Sequence, residues 1–291
     1  MKIVYFGTPD IAVSPLRFLA SNADHDVQAV FTQPPARRSR RGKAVGSPVA
    51  NAASELGIET HEVHSVNEDQ PYERLQELSP DIIVVVAFGQ ILKKRVLNLP
   101  KHGCINFHPS LLPAYRGAAP IQRAIMDGLE TTGLTVMRLI KKLDAGAILV
   151  QEPWRWDMSK DAEELMLDAG EKAGPMLSEA LSMLEDGQLG QEQDHEAATY
   201  AHMLEREDGE VNFSMTAVEL VNRVRAVQPW PKASTEFLSE SGSKRVMIRR
   251  AEIVDAKGAA GDVLEVNKSG IVVATADAAV LLTELQLEGK P

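Results

Sequence analysis

The chain has 291 residues, 44% hydrophobic and 25% charged, a composition typical of globular proteins and a length sufficient for two domains. A single cysteine excludes an internal disulfide and fits a reducing, cytoplasmic setting, while no apolar run approaches the ~20 residues that span a bilayer. The net charge of −10 argues against diffuse nucleic-acid binding, but a local basic site stays open because fields are screened over about 10 Å.

Lys2–Phe6 reads as a β-branched and aromatic strand, with no small-residue cleavage site of a secretory signal behind it. Gly7-Thr8-Pro9-Asp10 turns it into a helix through Leu16 and Leu19. A dinucleotide site would need glycines in G-x-G-x-x-G spacing, and Gly7 stands alone. Val27–Phe31 is a second strand and Pro48–Leu56 a second helix. Glu73–Leu78 belongs to a third helix, and the apolar runs Asp81–Val86 and Cys104–Phe107 read as buried strands. Cys104 lies inside an apolar strand and reads as core packing. Strands alternating with helices define an α/β fold: a Rossmann-like, mostly parallel sheet with helices on both faces.

Pro120–Asp127 reads as a helix with proline in its first turn. Thr132–Leu139 and Gly146–Gln151 are strands, and Ala162–Leu184 has the period of one long helix, bent near Gly174-Pro175. The polar, patternless stretch from Gly187 to Glu207 reads as a linker. This divides the chain into a larger domain 1–188, a linker 189–207 and a C-terminal domain 208–291. In the last, a helix Ala217–Val227 ends at Gln228-Pro229-Trp230-Pro231. Five short strands follow (Ser234–Leu238, Arg245–Val254, Gly261–Val266, Gly270–Ala274 and Val280–Leu287), which suggests a small OB-like β-barrel.

Two stretches carry chemistry. Asn106 and His108 are two apart at a strand end, so their side chains share a face where ligands of open α/β sheets collect. An amide donor beside an imidazole suits oxyanion stabilisation and proton handling; a buried histidine bonded to a carbonyl is the plainer reading. Pro109 and Pro113 stiffen the exit. The second stretch, Pro34 to Lys43, carries Arg37, Arg38, Arg40, Arg41 and Lys43 with no acid. It reads either as a solvated charge run or as a phosphate-contacting loop at the strand ends. Asp144, before Gly146, is either a turn former or a carboxylate that raises the basicity of an imidazole. Arg116 reads as facing an anion or as an ordinary surface guanidinium. No His/Cys cluster has metal-ligand spacing, so no metal is expected.

Asn106-Phe107-His108-Pro109-Ser110-Leu111-Leu112-Pro113 with Tyr115-Arg116-Gly117-Ala118-Ala119-Pro120-Ile121-Gln122 resembles the signature of the formyltetrahydrofolate-dependent formyltransferases. Gly7-Thr8-Pro9-Asp10 and the tract from Thr32-Gln33-Pro34-Pro35 through Arg41-Gly42-Lys43 resemble the branch whose acceptor is initiator methionyl-tRNA. The likeness covers nearly the whole chain. It implies formyl transfer from 10-formyltetrahydrofolate to the α-amine of methionyl-initiator tRNA, with Asn106, His108 and Asp144 catalytic.

It also implies that the pterin lies against Phe88, Gly89, Gln90, Ile91 and Leu92, read largely by backbone, and that Ser110, Leu111, Leu112 and Pro113 shape the folate wall. The loop with Arg37, Arg38, Arg40, Arg41 and Lys43 would engage the tRNA acceptor end. Met203 stands where the family often has lysine, so no RNA contact is expected there. A monomer is expected. A sugar-nucleotide N-formyltransferase, which would not need the basic loop, a formyltetrahydrofolate hydrolase module, which would release formate without an amine acceptor, and a noncatalytic RNA-binding protein are the alternatives.

Overall fold

The structure, a computed structural model, describes residues 1–37, 44–239 and 242–287. β1 (Lys2–Gly7) leads through α1 (Val13–Ser21) to β2 (Asp26–Thr32). β3 (Ala36–Arg37) and β4 (Ala44–Val45) pair antiparallel at the base of the basic loop. α2 (Pro48–Glu55) starts where the Ser47 hydroxyl accepts from the Ala50 amide, with Pro48 in the first turn. β5 (Glu59–Glu62), α3 (Asp69–Leu78), β6 (Ile82–Val86), α4 (Lys94–Leu97) and β7 (Cys104–His108) follow. After α5 (Pro120–Met126) come β8 (Thr131–Arg138), β9 (Ile148–Arg155) and α6 (Ala162–Glu185).

These strands form one sheet in the order β5-β2-β1-β6-β7-β8-β9. The run from β5 to β7 is parallel, and β8 joins β7 antiparallel. The reason for the centre is plain: all five residues of β6, Ile-Ile-Val-Val-Val, are buried, as both-faces-covered parallel strands require. On one face Phe6 packs against Phe31 and Phe88, with ring centroids 5.3 and 4.8 Å away. Each such ring removed from water contributes about 1.5–3 kcal/mol.

The chain groups into two compact units. The first comprises Met1–Arg116, Gly133–Trp154 and Met166–Tyr200; the second comprises Gly117–Thr132, Arg155–Leu165 and the chain from Ala201 onward. Within the second unit, α7 (Ala217–Ala226) begins with a capping box between Thr216 and Glu219. β10 (Ala233–Ser239), β11 (Gly242–Val254), β12 (Val263–Asn267), β13 (Gly270–Ala274) and β14 (Ala279–Leu287) form an antiparallel sheet in the order β10-β11-β14-β13-β12. Leu220, Val224, Ile248, Val280 and Leu282 make its core, with Met126 of α5 packed against them.

This grouping differs from the division 1–188, 189–207 and 208–291. Residues 117–132 and 155–165 group with the C-terminal half. Met126 is part of its core, and the Trp156 indole donates to the Leu129 carbonyl at 2.8 Å. Residues 189–200, expected to be linker, pack on the first unit instead. Gln191 exchanges backbone hydrogen bonds of 2.7 and 2.8 Å with Ile148, and the Arg116 amide donates to the Thr199 carbonyl at 2.9 Å. A polar sequence without period is what a segment satisfied by individual hydrogen bonds looks like.

Candidate active site

β7 carries Asn106 and His108 to the carboxyl end of the sheet, opposite Met137 and Thr135 of β8. Asn106 is half-buried and His108 is buried. The His108 Nε2 lies 2.8 Å from the Tyr115 carbonyl oxygen, which only accepts, so that nitrogen carries a proton. Its Nδ1 lies 3.8 Å from the Asp144 carboxylate, an ion-pair distance longer than a hydrogen bond. The structure thus brings Asp144 to His108 across 36 positions of sequence, and a carbonyl-bonded histidine and a carboxylate-paired one prove to be the same residue.

Both residues that flank the ring are backbone outliers: φ is 58° at Tyr115 and 44° at Asp144. Such left-handed conformations cost on the order of 1–3 kcal/mol each and persist where the surroundings dictate them. At Gly146 a Cβ would overlap the Arg138 carbonyl oxygen, so the Asp144-Ala145-Gly146 turn can sit directly on the end of β8.

The loop after His108 is fixed by polar side chains, of which Ser110 and Thr135 are buried. Ser110 Oγ donates to the Ala114 carbonyl at 2.6 Å, and Thr135 Oγ1 donates to the Ser110 carbonyl at 2.6 Å. Gln151 Nε2 donates to the Leu112 carbonyl at 3.0 Å and to Thr135 Oγ1 at 2.9 Å. The Leu112–Pro113 peptide is cis. Ser110 and Leu112 are therefore buried scaffolding, while Leu111 and Pro113 are half-buried.

The segment 88–92 divides in the same way. Phe88 belongs to the aromatic core, and its carbonyl accepts from Thr8 and Gln33 at 3.2 and 3.1 Å. Gly89 has φ of 77°. Gln90 spends its amide on the 63–66 turn, accepting from the Val66 amide at 2.8 Å and donating to the Val63 carbonyl at 2.9 Å. Leu92 packs on the core, whereas Ile91 is 87% exposed.

Arg116 corrects the sequence reading: it neither faces an anion nor lies on the surface. It is completely buried, with its Nε and Nη2 donating to Gln193 Oε1 at 3.1 and 2.5 Å and Nη2 also 3.0 Å from His195 Nδ1. Sequence reasoning also passed over Thr135, Gln151 and Gln193. The only available signal was polar residues at positions where apolar ones would continue a strand, and Gln193 carried none. Arg38, Arg40, Arg41 and Lys43 lie outside the described residues, as does the side chain of Arg37. Among the described residues no group of three His, Cys, Asp or Glu could hold a metal ion, and no helix is long and apolar enough to cross a membrane.

Residues 1–181 match the family described as Formyl transferase, and residues 203–291 match Formyl transferase, C-terminal domain. The chain belongs to the formyl transferase family. Within it, the methionyl-tRNA formyltransferase of Sulfurihydrogenibium sp. (strain YO3AOP1) is 40% identical over 291 residues, 98% of this chain and 92% of the relative. A solved methionyl-tRNA formyltransferase from Clostridium thermocellum aligns with a TM-score of 0.65 at 15% identity, covering 99% of this chain and 98% of that one. An N-formyltransferase from Helicobacter canadensis, solved with folinic acid and dTDP-3-aminofucose, aligns with a TM-score of 0.70 at 17% identity over 98% of this chain and 100% of that one. At such identities the two structures speak for the fold.

Proposed function

We propose that the chain transfers the formyl group of 10-formyltetrahydrofolate to the α-amine of methionyl-initiator tRNA, with Asn106, His108 and Asp144 as its catalytic residues. The observation that supports this most is His108 between the Asp144 carboxylate, at 3.8 Å, and the Tyr115 carbonyl, at 2.8 Å, at a sheet's carboxyl end.

Asn106 and the protonated His108 donate to the formyl oxygen as the amine nitrogen bonds to the formyl carbon and that oxygen gains negative charge. Asp144, directly or through water, accepts the proton that the amine loses. As the oxyanion re-forms the carbonyl, the bond from the formyl carbon to N10 breaks, and N10 leaves with the proton that Asp144 returns. A donor aimed at an oxyanion contributes about 2.7–4 kcal/mol in other acyl-transfer sites.

The exposed Ile91 and the left-handed backbone of Gly89, with half-buried Leu111 and Pro113, fit a flat heterocycle held by backbone groups and apolar contact. Phe88, Gln90, Leu92, Ser110 and Leu112 hold that wall from behind. The loop bearing Arg37, Arg38, Arg40, Arg41 and Lys43 contacts phosphates of the tRNA acceptor end. The enzyme acts as a monomer in the cytoplasm.

A sugar nucleotide carrying an amine is the alternative acceptor. A formylation assay offering methionyl-initiator tRNA and a nucleotide-linked amino sugar in competition separates the two. Formylated tRNA is expected, and exclusive formylation of the sugar would overturn the assignment.

A further inference from the structure

We infer that Gln193 and Arg116 are positioning residues for the transfer: one buried amide–guanidinium pair holds both backbone segments that flank the His108 ring. The inference rests on the catalytic assignment of His108 and Asp144 made above.

Gln193 is 6% exposed, and its primary amide is fully used. Its oxygen accepts from Arg116 Nε and Nη2 at 3.1 and 2.5 Å. Its nitrogen donates to the carbonyls of Asp144 at 3.0 Å and Gly146 at 2.7 Å. A primary amide has two donors and an oxygen with two lone pairs, so all four valences are met. The environment also fixes which end is which: a flipped amide would set its oxygen against two carbonyls and its NH2 against a guanidinium.

The other end of the pair reaches the other side of the imidazole. Arg116 follows Tyr115, whose carbonyl is 2.8 Å from His108 Nε2, and Asp144 faces Nδ1. The same two residues, Tyr115 and Asp144, are the ones with left-handed φ, 58° and 44°. Strained backbone needs surroundings that dictate it, and Gln193 bonds the backbone of one segment and the side chain that anchors the other.

Arg116 is also costly to keep for stability alone. Its guanidinium is completely buried against a neutral amide and an imidazole, and its Nη1 has no hydrogen-bond partner among the described residues. Burying a charge on such terms is unfavourable. Precise placement of the Asp144 turn is what the arrangement provides, and a displacement of 1 Å at a reacting group costs about 10²-fold in rate.

Two variants test this in the formylation assay, beside His108→Ala. Gln193→Glu keeps an acceptor for Arg116, now as an ion pair, and replaces the donation to Asp144 and Gly146 with an oxygen facing their two carbonyls. Gln193→Met keeps the length and removes all four bonds. Both are expected to lower kcat by about 10²-fold with KM for each substrate unchanged. Unchanged kcat in a folded Gln193→Glu, with His108→Ala inactive, overturns the positioning role alone. Full activity in His108→Ala overturns the catalytic assignment and this inference with it.

Discussion

Gln151, on β9, reaches across β8 to donate to the carbonyl of Leu112 at 3.0 Å, and on the way bonds Thr135 Oγ1 at 2.9 Å. Two residues 39 apart in sequence thereby hold the loop that leaves the candidate catalytic strand. Gln151→Leu leaves the Leu112 carbonyl without its donor. A loss of about 1–3 kcal/mol is expected, measured by denaturant unfolding, together with a lower kcat. Unchanged stability and activity would show that the cis Leu112–Pro113 loop is fixed by other means.

Asn106 is only half-buried, so its substitution tests chemistry with little disturbance to packing. Asn106→Ala is expected to lower kcat by about 10²–10³-fold, the effect of removing one oxyanion donor, with the thermal midpoint and folate affinity retained. A proportional rise in KM at constant kcat would move Asn106 from chemistry to binding.

Arg41 and Lys43 are predicted to touch tRNA phosphates. In the double variant Arg41→Ala, Lys43→Ala, the slope of log affinity against log salt should fall by about 0.7–0.9 per contact removed. Affinity for 10-formyltetrahydrofolate should not change. A tRNA slope identical to that of the unmodified chain would assign those cations to solvent.

Cys104 is buried in β7, two residues before Asn106, and burial pushes its thiol up to about 12. The thiolate is the reactive form, so Cys104 in the folded chain is expected to resist alkylating reagents near neutral pH and to react on unfolding. Rapid stoichiometric labelling of the native chain, read by mass, would contradict the buried strand.

Arg123 and Asp208 form a forked ion pair within the second unit, with N–O distances of 2.7 and 2.8 Å. Burial alone would raise the Asp208 carboxyl, but the Arg123 fork and the Glu205 amide outweigh it and hold it below the usual carboxylate range. A depressed folded-state pKa means stabilisation that is present above the unfolded value of about 3.9 and lost as pH falls through the folded one. Asp208→Asn should therefore cost about 1.5–3 kcal/mol at neutral pH, and the difference should shrink under strong acid. A pH-independent difference would attribute the cost to packing.

Much of the first unit was legible because burial writes itself into apolar runs. Ile82–Val86 and Cys104–Phe107 lie in strands whose neighbours demand apolar side chains, and only the half-buried Asn106 interrupts those two runs. β5, Glu59–Glu62, went unread: it is an edge strand, and its Glu-Thr-His-Glu sequence, half-buried at Thr60 and His61 and exposed at both ends, has no apolar residue to alternate with polar ones. The antiparallel sense of β8 was also unreadable, since direction leaves no mark on periodicity.

At the site, Asn106 and His108 stood out by spacing and Asp144 through its family motif. Arg116 did not stand out as buried, because a guanidinium is expected outside unless its partners are known. Those partners, Gln193 and His195, come from a polar segment that secondary-structure signals describe as empty.

The central claim is that His108 and Asp144 act together on a formyl group moving between two nitrogens. The most direct measurement is formylation of methionyl-initiator tRNA by 10-formyltetrahydrofolate, comparing the unmodified chain with His108→Ala and Asp144→Ala. The unmodified chain should formylate the tRNA, and each variant should fold, bind folate and lose almost all turnover. Near-normal turnover in either variant, or a chain that formylates no tRNA, contradicts the account.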